Sequence, residues 1–374
     1  MQTRIGLLLP RSTDYPAMGY DMLNGLRCRL AMDSGREYSF FTENIGFGEN
    51  EALNYAKGEK LVLTDNVDLL IAYCNSANAE LLYQLANALN KPLLILDAGM
   101  QLPQTAASPY CYHITLQGLH ACRIAGNMAG TGNRKVVMAT SYYDGGYRGP
   151  WSYDRGLSEA GGSVCGNYVS GYKPAAFDIG PYLGLLRNTA ANSVAACFSS
   201  YLAELFFKAL NEKNGEATPL PFYCSPFMAE EQMLNSCDFP GGEFYTVVPW
   251  AASLVNREQE AFTASILSAA NKSANIFHLL GWEAGIVTAA LVQHGIPVLK
   301  NFSYLSPRGQ STIHPATHYT YAPLYKGKII GDSNGKCALE TIEPISANAE
   351  MHIKVMSDRP AEIVSGWKNN YLCA

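Results

Sequence analysis

The chain has 374 residues, 48% of them hydrophobic and 16% charged, with a formal net charge of −5. Soluble domains average about 25% charged residues, so this composition excludes a disordered chain, and the lack of a basic cluster excludes a nucleic-acid surface. No apolar run approaches the roughly 20 residues of a membrane span, and the length leaves room for two or three domains of about 150 residues each.

In chain order, the apolar run Ile5 to Leu9 predicts a strand buried on both faces of a parallel sheet. Pro10 ends it, because proline has no N–H for a ladder. Arg11 to Gly19 reads as a polar loop. From Tyr20, Met22, Leu23, Leu26 and Leu30 fall at helical spacing. This strand, loop and helix repeat. Tyr38 to Thr42 and Asp68 to Ala72 read as strands, Glu51 to Leu63 as a helix, and 73–76 as a polar loop. Asn78 is placed to cap the next helix. Lys91-Pro92 stops that helix, and Leu93 to Leu96 is a strand opening into Asp97-Ala98-Gly99-Met100-Gln101.

A second series follows. Strands are expected at 135–140, 163–169, 193–198, 221–224 and 243–248, with helices at 119–128, 151–160, 179–187 and 201–210. Helices at 257–270 and 277–294 come next, then a tail of short strands and turns. Strands alternating with helices imply right-handed crossovers and parallel sheets. The expectation is an α/β protein of two Rossmann-like lobes with parallel central sheets and a multi-strand hinge. Lobe one spans 1–116 plus 249–310, and lobe two 117–248 plus 311–374. A cleft at the carboxyl ends of both sheets is the natural ligand site.

Of the ten cysteines, Cys28, Cys122 and Cys197 sit in apolar patterns and read as buried thiols. Cys224 with Cys237, and Cys337 with Cys373, are spaced so that each pair could be bridged. His314 and His318 form H-x-x-x-H with Pro315 between them and no following glutamate, which is not the zinc pattern H-E-x-x-H. No G-x-G-x-x-G, phosphate loop or G-x-S-x-G occurs. No cofactor, metal or enzymatic activity is expected.

The order of motifs resembles the type I periplasmic binding proteins, the solute receptors of branched-chain amino-acid ABC transporters with the amide and urea receptors beside them. The resemblance rests on IGLLLPRSTDYPAMGYDMLNG, VDLLIAYCNSANAELLYQLANALNKPLLILDAG, KVVMATSYYDGGYRGPW, FHLLGWEAGIVTAAL and SYLSPRGQSTIHPATHYTYAPLYKGKI, in that order over nearly the whole chain. It implies a receptor that captures a small polar molecule (an amino acid, amide, urea-like compound or aromatic acid) by hinge closure. The partner would be an ABC-transporter permease or a sensor. By that resemblance the ligand groups would be Met18 at the end of the first loop, Asn75, Ser76, Gly99, Met100 and Gln101 in lobe one, and Tyr147, Tyr201 and Phe227 in lobe two. From the residues themselves, Tyr15 on the same first loop is a further contact, and Asp97 either meets a cationic ligand or caps its loop. The helix start near Asn78 would suit a carboxylate. The lobe-two acid of amino-acid receptors is not evident at 224–227, although Glu230 and Glu231 follow. Such receptors are periplasmic or lipid-anchored once a leader is removed; otherwise the chain is cytoplasmic. The alternatives are a cytoplasmic or membrane-linked sensor of the same fold, and an α/β enzyme using a nucleotide.

Overall fold

In the computed structural model, residues 2–102, 105, 108–142, 144, 148–213, 216–358 and 371 are described. The first half of the chain gives β1 (Gln2–Leu9), α1 (Met18–Leu30), β2 (Glu37–Asn44), α2 (Glu51–Leu63), β3 (Leu69–Tyr73), α3 (Glu80–Leu89), β4 (Leu93–Asp97) and β5 (Cys111–Thr115). These strands form one parallel sheet in the order β2-β1-β3-β4-β5. Strands β3, β4 and β5 are buried at every residue, as sandwiching between helices requires. Sequence patterning missed β5, whose His113 and Thr115 interrupt the apolar run.

The second lobe opens with α4 (Gly118–Gly130). It continues through β6 (Lys135–Ser141), α5 (Arg148–Glu159), β7 (Ser163–Ser170), α6 (Gly180–Asn188), β8 (Ser193–Cys197), α7 (Ser200–Asn211), β9 (Phe222–Cys224), α8 (Glu231–Leu234) and β10 (Phe244–Val248). The chain then returns to lobe one with α9 (Arg257–Ala270) and α10 (Ile276–His294). The short strands β11 (Ser303–Ser306), β12 (Gly309–Ile313) and β13 (Thr320–Tyr321) follow. They form a small antiparallel sheet beside β5, joined through a His113–Tyr319 bridge. After Tyr321 the chain crosses again. Strands β14 (Leu324–Gly331) and β15 (Cys337–Ile345) extend the second sheet to the order β15-β14-β10-β9-β8-β6-β7, and α11 (Ala349–Ser357) packs on α4. Among the described residues the lobes are thus linked by three crossings, at 116–117, 249–250 and 322–323. Two of them are tied together, because Ala322 N–H donates to Gln117 Oε1 at 2.8 Å.

Each lobe contains one pair of helices in backbone contact. A Cβ on Gly25 of α1 would meet the His278 carbonyl at 2.0 Å, and one on Gly281 of α10 the Met22 carbonyl at 1.9 Å. In lobe two, Gly126 of α4 and Gly156 of α5 do the same, each at 1.9 Å from a facing carbonyl. Helix α10 corrects the reading that no segment suits a membrane. It has 19 residues of sufficient hydropathy, yet 72% of its most apolar window is buried inside the fold, as for a core helix. The pairing of Cys224 with Cys237 is also corrected: both are free, buried thiols, as is Cys337. Cys373 lies outside the described residues.

Candidate functional site

Pro10 releases the chain from the first sheet, and two local hydrogen bonds then turn Tyr15 inward. Ser12 Oγ accepts from the Tyr15 N–H at 3.0 Å, and the Tyr15 carbonyl accepts from the Met18 N–H at 3.0 Å. Tyr15 and Met18 are buried. The Tyr15 ring meets Phe277 edge-on at 5.2 Å. Its hydroxyl is buried near Ser200 and Glu230 of lobe two, and burial, with the Glu230 carboxyl nearby, pushes its pKa up.

The loops after β3 and β4 are joined. Ser76 Oγ donates to the Gln101 carbonyl at 2.8 Å, so this hydroxyl serves the scaffold. The amide nitrogens of Asn75 and Gln101 are buried without partners, which leaves two donors in this corner of lobe one. The expected cap and carboxylate site at Asn78 are corrected. Asn78 Nδ2 donates to the Gly48 carbonyl at 3.4 Å, and α3 starts two residues later. The Leu81 N–H is taken by Glu51 Oε1 at 2.9 Å, so the anion at this helix start is the protein's own.

Asp97 is also spoken for. Its Oδ1 accepts from the Gly99 N–H at 2.8 Å, and its Oδ2 lies 3.3 Å from His113 Nδ1. The other nitrogen of His113 is 2.7 Å from the Tyr83 hydroxyl, and its ring stacks on Tyr319 at 3.9 Å. Gly99 has φ +71°, and a Cβ there would stand 2.3 Å from Thr115 Oγ1, so only glycine fits. This turn throws Met100 across to lobe two. A Cβ on Gly118 would lie 2.3 Å from its Sδ, and one on Gly149 2.6 Å from its Cε. Met100 therefore inserts into a hole formed by missing side chains.

On the lobe-two side, Phe227 is buried in the turn after β9, while Tyr201 at the start of α7 is 36% exposed and donates to the Tyr172 carbonyl. Tyr147 lies outside the described residues. Two buried acids escaped the sequence reading as site residues. Asp144 accepts from Ser141 Oγ at 2.7 Å and from Ser199 Oγ at 2.6 Å. Glu230 accepts from the Met233 N–H at 3.0 Å and faces Tyr15. Burial pushes each carboxyl up to about 7, and among the described residues no cation offsets it. For Glu230 a signal existed: an acid directly after the apolar stretch Pro226 to Ala229, on a loop leaving a buried strand.

Some of these residues border two spaces between the lobes, while Glu230 lines a third, of about 370 Å³, with Trp250, Lys272 and Asn275 of lobe one. The outer one, about 450 Å³, is lined by Asp14, Tyr15 and Met18 from lobe one and by Ser200, Tyr201 and Glu204 from lobe two. The inner one, between Met100, Cys122, Asp144 and Phe227, has only about 20 Å³. Tyr15, Met18 and Tyr201 thus meet at the mouth, and Met100 and Phe227 meet deeper. Asn75, Ser76, Asp97 and Gln101 line neither space; the Ser76 and Asp97 side chains bond within lobe one.

Residues 2–334 match the model of the family described as "Periplasmic binding protein". No protein of curated function matches the sequence. Among solved structures, the chain is similar to an ABC transporter substrate-binding protein from Sphaerobacter thermophilus, with 19% identity, TM-score 0.80, and coverage of 92% of this chain and 98% of that one. It is similar to a solute-binding protein of an R. palustris ABC transporter in complex with benzoate, at 22% identity and TM-score 0.74, over 93% and 98% of the two chains. It also resembles the branched-chain amino acid transporter substrate-binding protein LivJ from Streptococcus pneumoniae in complex with isoleucine, at 14% identity and TM-score 0.68, over 92% and 100%. With two α/β lobes, a cleft between them and a family match over nearly its whole length, the chain belongs to the periplasmic binding protein family.

Proposed function

We propose that the captured solute is a small compound with a compact apolar or aromatic body and a hydrogen-bond donor, either a phenolic hydroxyl or an ammonium. The observation that carries this reading is Glu230. A carboxyl that is 5% exposed, with no cation beside it among the described residues and with the Tyr15 hydroxyl as neighbour, is a costly arrangement in a finished core but suits an incoming donor. Phe227, Met100 and Tyr15 supply apolar walls, and the unpartnered amides of Asn75 and Gln101 supply donors for an acid or carbonyl group. Benzoate in one structural relative and isoleucine in another bracket this chemistry. The chain binds without transforming its solute, works outside the cytoplasmic membrane, and hands its cargo to a permease on hinge closure.

Calorimetric titration with benzoate, 4-hydroxybenzoate and isoleucine, on the parent and on Glu230→Gln, tests this reading. The two ligands with a hydroxyl or ammonium donor should lose about tenfold or more in affinity in the variant, the worth of a hydrogen bond to a charged group. Benzoate, which lacks that donor, should lose little. Equal losses for all three, or no binding of any, would refute the assignment.

A further inference from the structure

The deepest part of the contact between the lobes contains a side chain that neither sheet supplies. Tyr371, which follows α11 in sequence, is only 4% exposed. Its φ is +63°, a conformation that a non-glycine residue holds only where its surroundings determine it. Its ring lies 4.9 Å from Phe227, 5.5 Å from Tyr15 and 5.6 Å from Phe277. The last two contacts are edge-on, at interplanar angles of 79° and 89°, the arrangement that ring quadrupoles favour. Tyr15 and Phe277 belong to lobe one and Phe227 to lobe two, so the cage is completed only when the lobes are together. The groups that act electrostatically on the Tyr371 hydroxyl are Glu230, Tyr73 at the carboxyl end of β3, and Cys122 of α4.

The space on the Phe227 side of this cage is nearly closed. Only about 20 Å³ remains between Met100, Cys122, Asp144 and Phe227, room for about one water molecule. Sites for small organic ligands usually have about 300 Å³ or more. A solute deep between the lobes therefore needs the volume that Tyr371 fills.

We infer that Tyr371 is a built-in occupant of the solute site: its phenol ring holds the place of the solute's ring, and a phenol-bearing solute must displace it. The inference rests on the receptor reading above and narrows the solute to compounds whose ring can replace a tyrosine side chain between Tyr15, Phe227 and Phe277. An intramolecular competitor acts at an effective concentration on the order of millimolar. It weakens the apparent affinity by the fraction of time that the site is vacant, so the receptor responds only above a threshold of solute.

The test uses p-cresol, the free counterpart of the tyrosine side chain, with the full-length parent, Tyr371→Ala and Tyr371→Phe. The alanine variant should bind p-cresol at least about tenfold more tightly than the parent, with a matching rise in its melting temperature. The phenylalanine variant, which keeps the ring, should behave like the parent. Equal affinity in all three proteins, or no binding by a folded Tyr371→Ala, overturns the inference. The receptor reading is judged separately, by the titrations of the parent and Glu230→Gln.

Discussion

The two lobes treat their buried carboxylates differently. Lobe one pairs each with a nitrogen base. Glu283 and Arg308, both with fully buried side chains, form a two-pronged pair at 2.7 Å for each bond. Asp21 is held by Lys272 and by Asn275 Nδ2 at 2.8 Å, and Asp97 by His113. At the cleft, lobe two leaves Asp144 to two serines and Glu230 to backbone N–H groups and Tyr15. An acid already matched by a basic side chain is part of the scaffold. One held only by hydroxyls and N–H groups keeps a local field that an arriving donor can answer.

The largest effect that sharpens this contrast is expected from Arg308→Met. It strands a buried Glu283 and should cost about 3–5 kcal/mol in denaturant unfolding, whereas replacing both partners with apolar residues should recover most of the loss. A cost below about 1 kcal/mol would mean that the pair does not hold lobe one.

Glu230→Gln should act in the opposite direction. The folded carboxyl, raised to about 7 from 4.5, contributes stability that is present below pH 4.5 and lost as pH rises through 7. Between pH 4.5 and 8 the parent should therefore fall by about 3 kcal/mol relative to the variant. A stability gap that stays constant across those pH values would contradict the assignment.

Asp97→Asn should cost about 1–3 kcal/mol through its bonds to His113 and Gly99 and leave solute affinity unchanged. Weakened binding in a variant of parental stability would move Asp97 into the site. The smallest effect is on the acid side. Burial lowers the pKa of His120 to about 4 and of His352 to about 3. Their neutral forms favour the fold, so stability is present above pH 6.5 and lost as pH falls from there towards those values. At pH 5.5 each should cost roughly 1 kcal/mol. The gap between the parent and His352→Asn should shrink by that amount from pH 7 to 5.5, and a gap that does not move would remove His352 from the account.

Most of the fold was legible because its strands are short apolar runs stopped by proline or polar loops. The strand β5 was hidden because His113 is buried with partners, Asp97 and Tyr83, that lie 16 and 30 residues away. Side-chain patterning carries no trace of such a bond. Tyr15, on the loop after the first strand, and Met18, at the start of α1, line the outer space between the lobes, and the apolar run ended by Pro10 is what marked that loop in the sequence. The helix start at Asn78 misled because Glu51, from another helix, takes the N–H that Asn78 was expected to serve. Tyr371 carried no local signal: its burial depends on three rings from two lobes.

The three crossings set how the lobes can move. One cord between two bodies permits bending in two directions and twisting. Three cords, two of them laced together by Ala322 and Gln117, behave as a ribbon, which folds about its own width and resists shear. Each lobe, with its glycine-packed helix pair, turns as a stiff plate. Opening then reduces to a single angle.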